Sequence, residues 1–181
     1  MPDLDRAARA IEEFLDALGH TPESEPELAG TGARVAEAFG EDLLDGYRMD
    51  PAEILAETCA TTGRTELVVV RGIAITVTCP HHLLPSTGTA TVAYRPNGKL
   101  AGLGALGRLV QCRGRRLALQ ETVAQQVADD LVEHLGAASA GCALDLSPMC
   151  MIARGGRQVG ARALSVALAG AEDESLRQAL R

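Results

Sequence analysis

Four consecutive residues, Cys79-Pro80-His81-His82, put a thiol and two imidazoles within reach of one another. A thiolate and a neutral imidazole are donors that zinc prefers, and a histidine left unligated can move protons near neutral pH. Proline after Cys79 holds the cysteine extended and then turns the chain, which can bring His82 back toward the sulfur and would leave His81 projecting differently. Two ligands do not make a site. Ser147-Pro148-Met149-Cys150-Met151 offers another cysteine at a second proline-marked corner, where it can be aimed at the same point. The alternative is that a strand-end cysteine and two loop histidines do no chemistry. Of the other cysteines, Cys142 shares the parity of Leu144 and Leu146 and reads as a small core residue, while Cys59 and Cys112 have no suggestive neighbours. Five cysteines, odd in number and scattered, do not form a disulfide framework.

The elements that must position these residues change character along the chain. From Leu4 to Leu18 the apolar residues Leu4, Ala7, Ala8, Ile11, Phe14, Leu15 and Leu18 recur at three- and four-residue spacing, which predicts an amphipathic helix. Gly19 to Pro26 ends it. Val35, Ala38, Phe39, Leu43 and Leu44 mark a second helical stretch, and Asp50-Pro51 starts a short third one. After Thr61-Thr62-Gly63 the period becomes two, with Ile73, Ile75, Val77 and Cys79 on one face of a strand. Thr87 to Arg95 predicts another strand, Pro96-Asn97-Gly98 a turn, Leu117 to Leu135 a helix and Gly141 to Leu146 a third strand. Met151 to Ala169 reads as two further strands joined by a glycine-containing turn, before a short charged helix. The sequence thus divides into an N-terminal helical segment, 1–60, and an α+β domain, 61–181, with antiparallel pairing favoured by the short connections.

Composition narrows the partners. The 181 residues are 46% hydrophobic and 23% charged, enough apolar material for a core. Aromatics are only 2%, without tryptophan, and the net charge is −7, which leaves neither stacking platforms nor a basic stripe for nucleic acid. Any anionic ligand must be met by a few local arginines. No run approaches the ~20 apolar residues of a membrane span, and Met1 to His20 mixes Asp, Glu and Arg where a signal peptide has an apolar centre, so the expected location is cytoplasmic.

Five segments, GYRMDP (Gly46 to Pro51), CPHHLLP (Cys79 to Pro85), VAYRPNGKLAGL (Val92 to Leu103), LALQE (Leu117 to Glu121) and MCMIARG (Met149 to Gly155), occur in an order and approximate spacing that resembles the GTP cyclohydrolase I family. The resemblance covers roughly Gly32 to Gly170. It implies the tunnelling fold, an antiparallel sheet with helices on one face that assembles with other copies into an oligomeric barrel, typically a homodecamer of two pentamers. It implies hydrolysis of GTP to formate and 7,8-dihydroneopterin triphosphate, a step of pterin and tetrahydrofolate biosynthesis. It further implies zinc held by Cys79, His82 and Cys150, acid/base catalysis by His81, and a guanine pocket lined by Gln120 and Glu121 that can reach a neighbouring subunit. Arg108 and Arg154 would meet the phosphates, with Arg115 and Arg116 as nearby alternatives.

These assignments are chemically coherent. Three protein ligands leave zinc a fourth position for water, whose pKa the metal lowers to about 7. One carboxylate at Glu121 can accept from both the ring N–H and the exocyclic amino group of guanine; its other reading is a residue placed in a helix's first turn for the dipole. Guanidinium forks suit phosphate oxygens. The chain also departs from the family's usual pattern. Pro80 replaces a glutamate, Pro148 replaces a second active-site histidine, Gly104-Ala105 replaces a serine and a lysine, and Glu37 replaces a helical lysine. The metal and base residues are kept while the phosphate end is thinned. Two readings follow: a divergent ring-opening hydrolase acting on GTP or a related guanine nucleotide or nucleoside, and a catalytically impaired ligand-binding or regulatory subunit of the same fold.

Overall fold

A computed structural model of the protein describes residues 2–61 and 67–181, so that Thr62 and Gly63, at the expected change of period, lie outside the described residues. The chain forms two compact units, Met1–Asp45 and Gly46–Arg181.

In the first unit α1 (Leu4–Ala17) starts where Asp3 accepts a hydrogen bond from the Arg6 N–H at 2.9 Å, an N-cap that satisfies an otherwise unpaired donor. Its apolar stripe has the expected spacing, yet none of its residues is fully buried, and Phe14 and Leu18 are exposed. Helix α2 (Thr31–Glu37) packs on α1 through Gly32, where a Cβ would collide with the Ala8 carbonyl oxygen. The second helical stretch then widens into a π-helical turn, Ala38–Leu43, in which a Cβ at Gly40 would displace the end of the Leu4 side chain.

The second unit begins with α3 (Pro51–Leu55), capped by Asp50 and started by proline at its first position, as expected. Strand β1 (Thr58–Ala60) precedes the long antiparallel hairpin of β2 (Val68–Thr78) and β3 (Pro85–Arg95). Strand β4 (Lys99–Ala101) returns to pair with β1, and helices α4 (Leu103–Gly114) and α5 (Gln120–Glu133) follow. Strand β5 (Ser139–Pro148), the four-residue helix α6 (Met149–Ile152), β6 (Ala163–Gly170) and α7 (Glu174–Ala179) complete it. The main sheet is antiparallel throughout, in the order β2-β3-β5-β6.

Both long helices cover one face. Ile75, Val77, Val92, Leu144 and Leu146 from the strands meet Leu106, Leu109 and Val110 of α4 and Val123, Val127 and Leu131 of α5. Tyr94 is buried there, its hydroxyl oxygen accepting from the Ala101 N–H at 3.0 Å. On the other face Leu176 and Leu180, at the C-terminal helix, cover only Ala93 and Ala143 among fully buried residues.

One expected element is corrected and two are refined. Strand β2 spans Val68–Thr78, and the alternation carried by Ile73, Ile75 and Val77 is broken ahead of Ile73 by a bulge between Val70 and Ile73, with Gly72 at φ +72°. Helix α4 falls in a stretch without a clear helical period, because Gly104 and Gly107 dilute the Leu106, Leu109, Val110 stripe that marks it. Met151 to Ala169 contains one strand rather than two; its first part forms α6 and turns, with left-handed residues Arg157, Gly155 and Gly160 breaking any extended run. No helix among the described residues is long and apolar enough to cross a membrane.

Candidate functional site

Antiparallel order puts the end of β2, the start of β3, the end of β5 and the start of β6 at one end of the sheet. Register then does the positioning. Thr78 pairs with Pro85 across the hairpin, and Ser86 pairs with Pro148, so Cys79 and Cys150 each leave the sheet one or two residues beyond neighbouring pairs. The intervening loop is closed by two backbone hydrogen bonds, Leu83 N–H to the Cys79 carbonyl at 2.9 Å and Cys79 N–H to the Leu84 carbonyl at 3.1 Å. Closing so tight a loop forces Leu83 into the left-handed region, φ +54°, a conformation unusual for a branched side chain.

These turns bring together the residues expected to converge. One donor atom each from Cys79, His82 and Cys150 lies within 4.8 Å of the others, with the cysteines half-buried and the histidine exposed. Donors on a tetrahedral zinc ion stand about 3.5–3.8 Å apart. Two thiolates and an imidazole at this separation fit such an ion after a modest inward movement. Thr78 Oγ1, one residue from Cys79, is buried without a hydrogen-bond partner among the described residues. His81 stands outside the group of donors, exposed, its ring 6.3 Å from that of His82 and nearly perpendicular to it.

The N-terminus of α5 is tied to the same corner. Leu117 runs beside Thr78 as a parallel bridge, and the Ala118 N–H donates to the Thr78 carbonyl at 3.2 Å. Gln120 and Glu121 follow at once. The Gln120 side-chain amide donates to the carbonyls of Leu144 and Ala163 at 3.2 and 2.8 Å, which uses both of its N–H donors on β5 and the start of β6. Glu121 is exposed and has no hydrogen-bond or ion-pair partner among the described residues.

The arginines separate. Arg154, just past α6, places Nη1 2.6 Å from His82 Nε2. Arg108 lies on α4 and pairs with Glu57 at 3.1 Å, over a shallow groove of about 500 Å³ that includes Ala74, Gly104 and Gly107. Ala74 is five residues before Cys79, about 16 Å along a strand, so this chain alone does not bring Arg108 to the metal-type donors. Arg116 is occupied structurally: it donates to the carbonyls of Gly46, Cys112 and Met49 and lies over the Tyr47 ring at 5.4 Å. Arg115 donates to Gln111 Oε1 at 2.9 Å. A separate hollow of about 380 Å³ in the first unit is walled by Glu12, Glu13, Asp16 and Glu23, which disfavours a polyphosphate.

Cys142 and Cys112 are buried away from this corner, and burial pushes the Cys142 thiol up to about 12 and the Cys112 thiol upward too. Neither is poised to give a thiolate. Cys59 is exposed near the Leu100 carbonyl.

Comparison with known proteins decides the family, since the GTP cyclohydrolase I family model matches residues 7–180. The chain belongs to the GTP cyclohydrolase I family. Its relatives include the GTP cyclohydrolase 1 of Janthinobacterium sp., 41% identical with 89% of this chain and 82% of that protein covered. The GTP cyclohydrolase 1 of Corynebacterium aurimucosum is also 41% identical (93% and 85% covered), and that of Campylobacter lari is 37% identical (90% and 84%). Among solved structures, the archaeosine synthase QueF-Like in its apo form has a TM-score of 0.50 at 15% identity, covering 61% of this chain and all of that one. That likeness extends to the fold alone. Within the GTP cyclohydrolase I family, then, this member carries a Cys-His-Cys corner, an anchored Gln120 and a free Glu121 at one end of its sheet.

Proposed function

We propose that this chain is a zinc-dependent hydrolase that opens the imidazole ring of GTP or a related guanine nucleotide or nucleoside and releases formate. The observation that carries the reading is the meeting of Cys79, His82 and Cys150 within 4.8 Å, in a chain of the GTP cyclohydrolase I family. Zinc would be held by those three side chains and would supply Lewis-acid activation of water. The protein's own groups do the rest. Glu121, unpaired and at the start of α5, accepts from the guanine ring N–H and amino group; Gln120 fixes that helix end on β5 and β6 so that the carboxylate is presented at a constant height. His81, beside the donor group but outside it, carries a proton to or from the reacting ring. Arg154 and Arg108 serve the phosphates, with Arg108 reaching the site of a neighbouring copy.

Assembly belongs to the same reading. Strands β2 and β6 are the two edges of the four-stranded sheet, and pairing between copies, as in a decameric barrel, would cover backbone groups that otherwise invite uncontrolled association. The acidic chain, working on a soluble nucleotide, is assigned to the cytoplasm.

One observation favours a second reading, a catalytically impaired ligand-binding or regulatory subunit. Pro148 precedes α6 beside Cys150, and proline carries no proton to give. Loss of a positioned acid or base costs about 10²–10⁴ in rate. Zinc-loaded protein incubated with GTP and with guanosine, followed by formate release and pterin absorbance, separates the two. Slow formate release, or arrest at a ring-opened formamide, supports the hydrolase with a weakened second step. Zinc binding with neither formate nor a ring-opened formamide from either compound would leave only the second reading.

A further inference from the structure

A neutral histidine has one nitrogen with a free lone pair. In His82 that lone pair is already engaged: Arg154 Nη1 stands 2.6 Å from Nε2. A guanidinium offers five N–H donors and no acceptor, and it stays protonated in proteins. Nε2 is therefore the acceptor, and the ring hydrogen sits on Nδ1. A metal ion needs the same lone pair, since it is held by an unprotonated ring nitrogen. Shifting the hydrogen to Nε2 to free Nδ1 would point one N–H at another. The Arg154 contact and metal ligation by His82 exclude each other, at a histidine whose ring nitrogen lies within 4.8 Å of the Cys79 and Cys150 sulfurs.

The surroundings make the contact easy to exchange. Arg154 is exposed, and among the described residues its side chain bonds to nothing else. The backbone after it is Gly155, at φ +58°, then Gly156, so no bulky neighbour fences the side chain in. We infer that Arg154 is an exchangeable partner of His82: it yields the imidazole to the metal, and its released guanidinium turns to the anionic end of the substrate. This rests on the zinc-hydrolase reading above and adds an order to it, in which metal binding prepares an arm for phosphate. Linkage makes the effect reciprocal, so whatever draws Arg154 away also tightens the metal.

The opposite role predicts the opposite sign. If Arg154 merely steadied His82 as a ligand, its removal would loosen the metal, as loss of outer partners usually does. Zinc affinity of the full-length protein, measured by competition with a chromophoric chelator, distinguishes the two. Arg154→Met is expected to bind zinc about tenfold more tightly than wild type. The gain should persist in about 0.5 M salt, where long-range charge repulsion is screened but a contest for one lone pair is not. A crystal structure of the zinc-loaded wild type provides the second measurement, with Arg154 expected away from His82. Unchanged or weaker binding by R154M, a gain that vanishes in salt, or Arg154 still bonded to His82 beside bound zinc would each overturn the exchange while leaving the hydrolase reading intact. Wild-type protein that binds no zinc would overturn both.

Discussion

Arg113 of α4 and Asp130 of α5 form a two-pronged pair, Nε to Oδ2 at 2.7 Å and Nη2 to Oδ1 at 2.6 Å, with only 4% of the Asp130 side chain exposed. Hydrogen bonding to the carboxylate holds the Arg113 guanidinium above its ordinary pKa, and His134 lies 3.7 Å from the same carboxylate. The pair fixes how the two helices sit against each other above the sheet. Arg113→Met leaves a buried carboxylate without its main partner and is expected to cost about 3–5 kcal/mol in denaturant unfolding. Replacing both residues with apolar side chains should cost less than the two single changes added together, because no lone charge remains.

Metal analysis sorts the cysteines. Purified protein should carry about one zinc per chain. Cys150→Ala should lose it; Cys142→Ala should keep it, since that thiol is buried and its pKa is pushed up to about 12. Equal loss from both substitutions would sink the assignment.

Acid stability should depend on Asp173. This residue accepts from Arg95 Nε at 2.6 Å and from Ser175 Oγ at 2.6 Å, which hold its carboxyl well below the ordinary carboxylate range, and it caps α7 by accepting from the Leu176 N–H. A depressed pKa means that the stabilisation is fully present above the unfolded value, about 4, and disappears as pH falls through the lower folded value. Asp173→Asn should therefore lose about 1–3 kcal/mol at neutral pH. It should also show a shallower loss between roughly pH 5 and the acid limit. Melting curves across that range test both, and an unaltered acid limb would remove Asp173 from the account.

Gln120→Glu replaces two donors with acceptors facing the carbonyls of Leu144 and Ala163. An expected loss of about 1–3 kcal/mol should be visible in unfolding, with weaker guanine-nucleotide binding because the start of α5 shifts. Normal stability in this variant would mean that the amide does not anchor the helix.

Light scattering at micromolar concentration should find an oligomer. A stable monomer would count against pairing at the β2 and β6 edges.

Much of the fold is legible in the sequence because period and punctuation agree. Leu4 to Ala17 and the alternation up to Val77 each have a single dominant spacing, and Asp50-Pro51 has the chemistry of a helix start. Helix α4 escapes because two glycines lie among its apolar residues, and the bulge at Gly72 breaks the two-residue period within β2. At the site, the two proline corners allow Cys79, His82 and Cys150 to converge, and the family resemblance implies that they do. What local pattern does not give is pairwise geometry. Nothing near Arg154 in sequence says that it faces His82, 72 positions away, nor that Arg116 is spent on three backbone carbonyls.

The link between α5 and the metal corner runs from the peptide N–H of Ala118 to the peptide oxygen of Thr78. Backbone atoms are the same whatever side chains a position carries. Amino-acid replacement can therefore change the side chains around this corner without removing the donor and the acceptor that tie the start of α5 to the end of β2. A designer could vary the exposed side chains nearby and still keep that backbone tie between the two elements.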